Sequence, residues 1–177
     1  MKNILVISTS LRKGNSLALA EKFAEGARAE GNNVRLISLI GKKIDFCRGC
    51  FVCLEKGECI IADDANEIVA EMKKADVIAF ATPVYYYSMS GQMKTLLDRA
   101  NSLYDTDYKF TDIYLLATAA EKEEDTMDKT ITGLEGWIDC FERADLKGVV
   151  KALGVTNIGD IDGKEALSEA FEMGRNA

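Results

Sequence analysis

The sequence predicts an α/β fold: a five-stranded parallel sheet with helices on both faces. Three observations carry this. Short apolar runs alternate with amphipathic stretches along the whole chain. Most of those runs are almost unbroken in apolar residues, as strands buried on both faces are. The chain has 177 residues, 47% of them apolar and 29% charged, which suits one globular domain with a substantial core.

The elements follow in order. KNILVIS (2–8) reads as the first strand. A helix follows from about Ser16 to Arg28, with Leu19, Phe23 and Ala27 recurring at fours, and Gly31-Asn32-Asn33 breaks it. VRLISL (34–39) alternates and reads as an edge strand. A cysteine-rich insert at about 41–62 then interrupts the pattern. Asp63-Asp64 opens a helix running to about Lys74, with Ile68, Val69 and Met72 on its inner face and its acidic start matching the helix dipole. DVIAFAT (76–82) is the third strand, ending at Pro83, the single proline. A helix from Gly91 to about Ser102 leads to DIYLLAT (112–118), and one from about Met127 to Ala144 leads to VVKALGV (149–155). A last helix spans about Lys164 to Gly174. Right-handed crossovers joining such units give a parallel sheet within one domain, residues 1–177.

Composition excludes some partners. A net charge of −7 and a pI near 4.8 repel phosphate backbones and anionic lipid heads, so neither nucleic acid nor membrane is expected. No apolar run approaches the roughly 18 residues of a membrane helix, and the start MKNILVISTS reads as a strand rather than a leader. The expected compartment is the reducing cytoplasm, where clustered cysteines serve metal or redox chemistry more often than structural disulfides.

In doubly wound folds ligands bind beyond the carboxyl ends of the strands. After the first strand comes STSLRKGNS (8–16), where hydroxyls, an amide and a helix N-terminus converge, a combination suited to phosphate. Neither G-x-G-x-x-G nor G-x-x-x-x-G-K-[ST] is present, so a dinucleotide or nucleoside triphosphate loop is not expected. One phosphate monoester remains; the plainer alternative makes Asn15 or Ser16 only a helix cap. After the third strand comes ATPVYYYSMSG (81–91), whose three tyrosines offer stacking surface to a planar heterocycle or, alternatively, to a second subunit.

Together these stretches resemble the NAD(P)H-dependent FMN reductases of the flavodoxin-like superfamily. The residues concerned are Gly14-Asn15-Ser16, Pro83-Val84-Tyr85, Lys94 and Asp98-Arg99, and the order of elements agrees over nearly the whole chain. The resemblance implies the strand order 2-1-3-4-5 and one non-covalent FMN. Its phosphate would lie on Ser8, Ser10, Arg12, Asn15 and Ser16. Its isoalloxazine would lie against Thr82, Pro83, Val84, Tyr85 and Tyr86, with backbone N–H groups offered by Thr118 and Ala119. The chain departs from the family after the fourth strand, where ATAAEKE (117–123) replaces a glycine-rich turn.

Four of the five cysteines, Cys47, Cys50, Cys53 and Cys59, fall in CRGCFVCLEKGEC (47–59). The spacing C-x2-C-x2-C-x5-C resembles the compact motif of the iron–sulfur flavoproteins, which implies one [4Fe–4S] cluster. A zinc site, a thiol switch and a metal-free wall for the flavin stay open as alternatives. In the implied strand order the segment is expected beside the flavin pocket. Cys140 is expected to be a small buried core residue.

The chain has no histidine, so no imidazole base is available. Hydride transfer to a flavin needs none, because the cofactor carries the reaction. The expectation is therefore an FMN oxidoreductase passing electrons between FMN and a cluster. A cluster-free NAD(P)H:FMN or quinone reductase, a flavodoxin-like electron carrier and a flavin-binding redox sensor are the alternatives. The donor would be NAD(P)H or a redox protein, the acceptor a small molecule or a protein, and the assembly a homodimer or homotetramer.

Overall fold

A computed structural model describes residues 1–177. The strands are β1 (Asn3–Ser8), β2 (Asn33–Ser38), β3 (Val77–Tyr85), β4 (Ser88–Met89), β5 (Asp112–Thr118) and β6 (Asp145–Ala152). The helices are α1 (Asn15–Ala29), α2 (Val52–Lys56), α3 (Asp64–Lys74), α4 (Gly91–Arg99), α5 (Asp128–Ile138) and α6 (Glu165–Arg175). The five long strands are parallel in the order β2-β1-β3-β5-β6, the doubly wound order expected, with β2 at an edge. A sixth, two-residue strand, β4, pairs antiparallel with the end of β3.

The core has two layers, one on each face of the sheet. Leu5, Ile7, Ile78 and Phe80 bury one face against α3, α4 and α5. Ile4, Val6, Val77 and Ala79 bury the other against α1 and α6. The helical stripes fall as the periodicity predicts: Leu19, Phe23 and Ala27 are fully buried, as are Ile68 and Met72. α1 and α6 meet through two glycines. A Cβ on Gly26 would stand 1.9 Å from the Phe171 carbonyl oxygen, and one on Gly174 would stand 2.0 Å from that of Phe23. Only glycine permits this backbone approach.

Several boundaries differ from the sequence reading. β3 does not stop at Pro83 but runs to Tyr85. Its pairing with β1 ends at Ala81, so the missing proline N–H costs no bond on that side. α4 ends at Arg99, and a single 3-10 turn covers Ala100–Leu103. α5 ends at Ile138 rather than near Ala144; Gly133 and Gly136 lower its helical preference. Cys140 therefore falls beyond the helix and is exposed, not buried in the core. β6 starts at Asp145 and ends at Ala152, because its pairing with β5 takes in Asp112↔Asp145 at one end and Thr118↔Ala152 at the other. No helix is long and apolar enough to cross a membrane.

Candidate functional site

The phosphate loop joins β1 to α1 at the carboxyl edge of the sheet. The N-cap of α1 is Gly14, which makes no side-chain capping bond. Neither Asn15 nor Ser16 is spent as a cap, and the first-turn N–H groups keep their partial positive charge for an anion. Ser8 is fully buried and its hydroxyl has no partner. Ser10 accepts from the Arg12 N–H at 3.2 Å, which fixes the turn. The Ser16 and Thr118 hydroxyls are hydrogen-bonded at 2.8 Å, tying α1 to the end of β5. Asn15 donates through Nδ2 to the Asn157 carbonyl at 2.9 Å; one further Nδ2 proton is left to give.

The loop after β6 forms a wall that the sequence reading did not include. The Arg12 guanidinium donates to the Thr156 carbonyl at 3.4 Å. Asp160 accepts from the Thr156 and Asn157 N–H groups at 2.9 and 2.7 Å, so this wall is itself braced. Those two hydrogen bonds hold the Asp160 carboxyl below its ordinary range. The Asp160 carboxylate reaches back to the two N–H groups that precede it in the turn, a contact the sequence reading did not single out.

The tyrosine stretch is a hairpin. β3 and β4 pair Tyr85↔Ser88, leaving Tyr86 and Tyr87 as the two turn residues. Both have positive φ, 51° and 62°, as a type I′ turn requires. Tyr86 is wholly exposed. Val84, Tyr85, Tyr86 and Ala119 line one cavity of about 290 Å³, so ring-side residues predicted from two separate loops do converge. Tyr87, Ala120, Glu121 and Thr126 complete it, and neither Glu121 nor Thr126 was anticipated. Glu121 accepts from the Tyr87 hydroxyl at 2.9 Å, and this hydrogen bond raises the phenol pKa, assisted by the carboxylate charge. Thr82 and Pro83 lie beneath. The Thr82 hydroxyl accepts from the Ser90 N–H at 3.1 Å and donates to the Pro83 carbonyl at 3.0 Å, so it braces the hairpin base. The Ala119 N–H, expected to face a flavin, donates instead to the Ala152 carbonyl at 2.9 Å, because the β5–β6 ladder continues one residue past the strand.

The cysteine segment is irregular apart from α2. Cys47, Cys50, Cys53 and Cys59 line one cavity of about 420 Å³, and Cys140 joins them. All five thiols are free. Two sulfurs already accept hydrogen bonds: Cys47 from the Gly49 N–H at 3.4 Å and Cys53 from Asn101 Nδ2 at 3.3 Å. No three Cys, Asp or Glu side chains converge on a single point where one ion would sit. Tetrahedral zinc requires such convergence, with Zn–S near 2.3 Å. A cubane gives each thiolate its own iron, so its four sulfurs stand wider apart around one cavity. Four thiols around one cavity are the donor set that a cubane takes.

The segment, expected beside the flavin pocket, meets the phosphate-loop side of the fold at its start. Its first residues, Ile44 and Phe46, share a small cavity with Leu11 of the phosphate loop. The cysteine cavity itself shares no lining residue with the tyrosine cavity. The hairpin leads into the first residue of α4 and Arg99 is its last, about 12 Å further along the helix axis at 1.5 Å per residue. Packing against α4 and α5 draws the thiols down the helical face and away from the strand ends.

The FMN fit rests on the buried, unpartnered Ser8 hydroxyl, the uncapped α1 N-terminus and the aromatic cavity beside them. The residues at the strand ends thus fit a phosphate monoester joined to a planar ring. The family model for NADPH-dependent FMN reductases matches residues 2–124, and the chain belongs to that family. An iron-sulfur flavoprotein of Methanocaldococcus jannaschii is 38% identical over 103 residues, 58% of this chain and 53% of that protein. One from Archaeoglobus fulgidus is 33% identical over 99 residues, 56% of this chain and 45% of that protein. The chain spans about half the length of these curated relatives. Among solved structures, the NAD(P)H:quinone oxidoreductase of Methanothermobacter marburgensis superposes with a TM-score of 0.72 at 20% identity, covering 99% of this chain and 98% of that one. An archaeal flavodoxin gives 0.61 at 16% identity, covering 98% and 94%. These two likenesses establish the fold.

Proposed function

We propose that this chain is an FMN-dependent oxidoreductase that takes electrons from NAD(P)H and holds a [4Fe–4S] cluster on Cys47, Cys50, Cys53 and Cys59. The observation that carries the reading is the pairing of two built sites on one fold. One is an uncapped helix N-terminus with an aromatic cavity; the other is a cavity lined by four closely spaced thiols. The names of the relatives support it.

Bound FMN supplies two-electron acceptance together with one-electron release. The residues of the chain bind and orient. The α1 N-terminus, Ser8, Ser10, Arg12, Asn15 and Ser16 receive the phosphate. Val84, Tyr85 and Tyr86 cover the ring, and the Tyr87–Glu121 hydrogen bond closes one side of the cavity. No imidazole takes part, and none is needed, since hydride moves without a protein base. The protein acts in the cytoplasm, as a homodimer or homotetramer, with a small-molecule or protein acceptor.

Anaerobic purification, iron–sulfide reconstitution and visible spectroscopy test the reading. Expected are flavin bands, a broad iron–sulfur absorbance, and about four irons and four sulfides per chain, as a cubane requires. Serine at any of the four positions should abolish the cluster and leave the flavin, while Cys140→Ser keeps both. Stopped-flow mixing with NADH or NADPH should reduce the flavin rapidly. Flavin without iron makes the protein a plain FMN or quinone reductase. Flavin that neither nicotinamide reduces makes it an electron carrier.

A further inference from the structure

Arg99 is the largest fully buried side chain in the protein, 2% exposed. Its two terminal nitrogens are saturated. Nη1 donates to Asp63 Oδ2 at 2.6 Å and to the Asp45 carbonyl at 2.8 Å; Nη2 donates to Asp63 Oδ1 at 2.9 Å and to the Ile61 carbonyl at 3.0 Å. Asp45 and Ile61 are the two ends of the cysteine segment. One guanidinium thus fastens both ends of the loop, and Asp63 anchors it by capping α3. Asn66 extends the clamp, accepting from Arg99 at 3.4 Å and donating to the Cys59 carbonyl at 2.8 Å.

One Arg99 donor is left over. Nε is buried and has no hydrogen-bond partner. An unmet buried donor is costly, and one that borders a cavity is met by what fills that cavity. Arg99 also lines the thiol cavity.

We propose that Arg99 is the positioning residue of the cysteine centre: it pins the loop before any metal arrives and reserves Nε–H for a sulfur of the bound cluster. This rests on the cluster assigned above. The fork explains how thiols on an irregular segment line one cavity without metal. Asn101 and the Gly49 N–H already donate to sulfurs there, so a third donor completes an N–H···S shell. Hydrogen bonds to cluster sulfur favour the more negative, reduced state and raise the reduction potential.

Two measurements decide this. In the metal-free protein, Arg99→Lys keeps the charge and loses the fork. Amide hydrogen exchange over residues 45–62 should then accelerate at least tenfold, with α1 unchanged. In the reconstituted protein, Asp63→Asn leaves the arginine charge unneutralised and should raise the cluster potential. Adding Arg99→Gln to it removes charge and donor together, so the double variant should titrate lower than Asp63→Asn by at least a tenfold change in the reduction equilibrium, about 59 mV for one electron. Arg99→Lys in the reconstituted protein keeps the charge and loses Nε–H, so its potential should also fall below that of wild type, and an unmoved potential there overturns the sulfur donor. Unaltered exchange in Arg99→Lys overturns the clamp, and equal potentials in the two Asp63 variants overturn the sulfur donor. If wild-type protein takes up no iron, the cluster reading itself fails and takes the donor role with it, while the exchange experiment still decides the clamp.

Discussion

Asn15→Asp tests the phosphate site most directly. The side chain is 8% exposed and stands at the first position of α1, where Nδ2 holds the Asn157 carbonyl at 2.9 Å. Aspartate inserts a charge next to a phosphate monoester that carries about −1.5 to −2. At about 5 Å and an effective dielectric near 20, each unit of that charge is repelled by about 3 kcal/mol. Even one unit's worth corresponds to about a hundredfold weaker FMN binding. Asn15→Ser loses the same Asn157 bond without adding charge, so the difference between the two variants isolates the Coulomb contribution. Fluorescence titration of metal-free protein with FMN and with riboflavin reads it out. Asn15→Asp should lose FMN affinity and keep its riboflavin affinity, and added salt should narrow the gap. The aspartate protein should melt no lower than the serine one, because a carboxylate at a helix N-terminus is favourable by about 0.3–1 kcal/mol. Equal losses for both flavins would show that Asn15 shapes the loop without facing phosphate, and the assignment would be wrong.

Three further outcomes follow from the same geometry. Tyr85→Ala opens the ring cavity, so FMN and riboflavin should weaken together while the melting temperature stays within about 2 °C, because Tyr85 is half exposed; loss of oligomerisation with unchanged flavin affinity would assign the tyrosines to an interface instead. Gly26→Ala forces a methyl to 1.9 Å from the Phe171 carbonyl and should cost about 2–3 kcal/mol, or roughly 5–10 °C, without touching flavin affinity; an unchanged melting curve would mean that the α1–α6 contact is loose. For Asp63, burial raises the carboxyl pKa, but hydrogen bonds from Arg99 and from the Asp45 and Ala65 N–H groups outweigh it and set the folded value below the ordinary 3.8. Its contribution is therefore complete above about pH 4 and is lost as pH falls through the folded pKa, so Asp63→Asn should cost about 3 kcal/mol at pH 7 and progressively less in acid, as followed by urea unfolding.

The edge position of β2 and the buried stripes of α1 and α3 were legible because each depends on local periodicity, whereas the sheet order followed from the family resemblance and not from the periodicity. Boundaries set by pairing were not. Pro83 reads as a stop, yet β3 passes it because its β1 neighbour has already ended. The ring cavity was legible in Val84, Tyr85 and Ala119, since strand ends on one edge must meet. Glu121 and the Asn157 wall depend on how two loops fold over that edge, and nothing in their spacing tells it. Arg99 stood out in the sequence only through Asp98-Arg99. Its bonds to Asp45 and Ile61 span 54 and 38 positions and become visible only when α4 packs on the cysteine segment. Cys140 reads as a helical core residue because no glycine or proline falls between Gly136 and Ala144 to mark a stop. α5 nonetheless ends at Ile138, and the turn at Asp139 is a tertiary choice.

The hairpin tip sets a limit on redesign. Two non-glycine residues occupy left-handed backbone there, at about 1–2 kcal/mol each. Folding stability alone would write Asn-Gly at Tyr86 and Tyr87, and a programme that ranks substitutions by thermal gain would choose that pair first. Such a protein would melt higher and would have erased the aromatic lip of its own cavity. Thermostabilised variants of this chain are therefore best sought at the far edge of the sheet, with the turn left under tension.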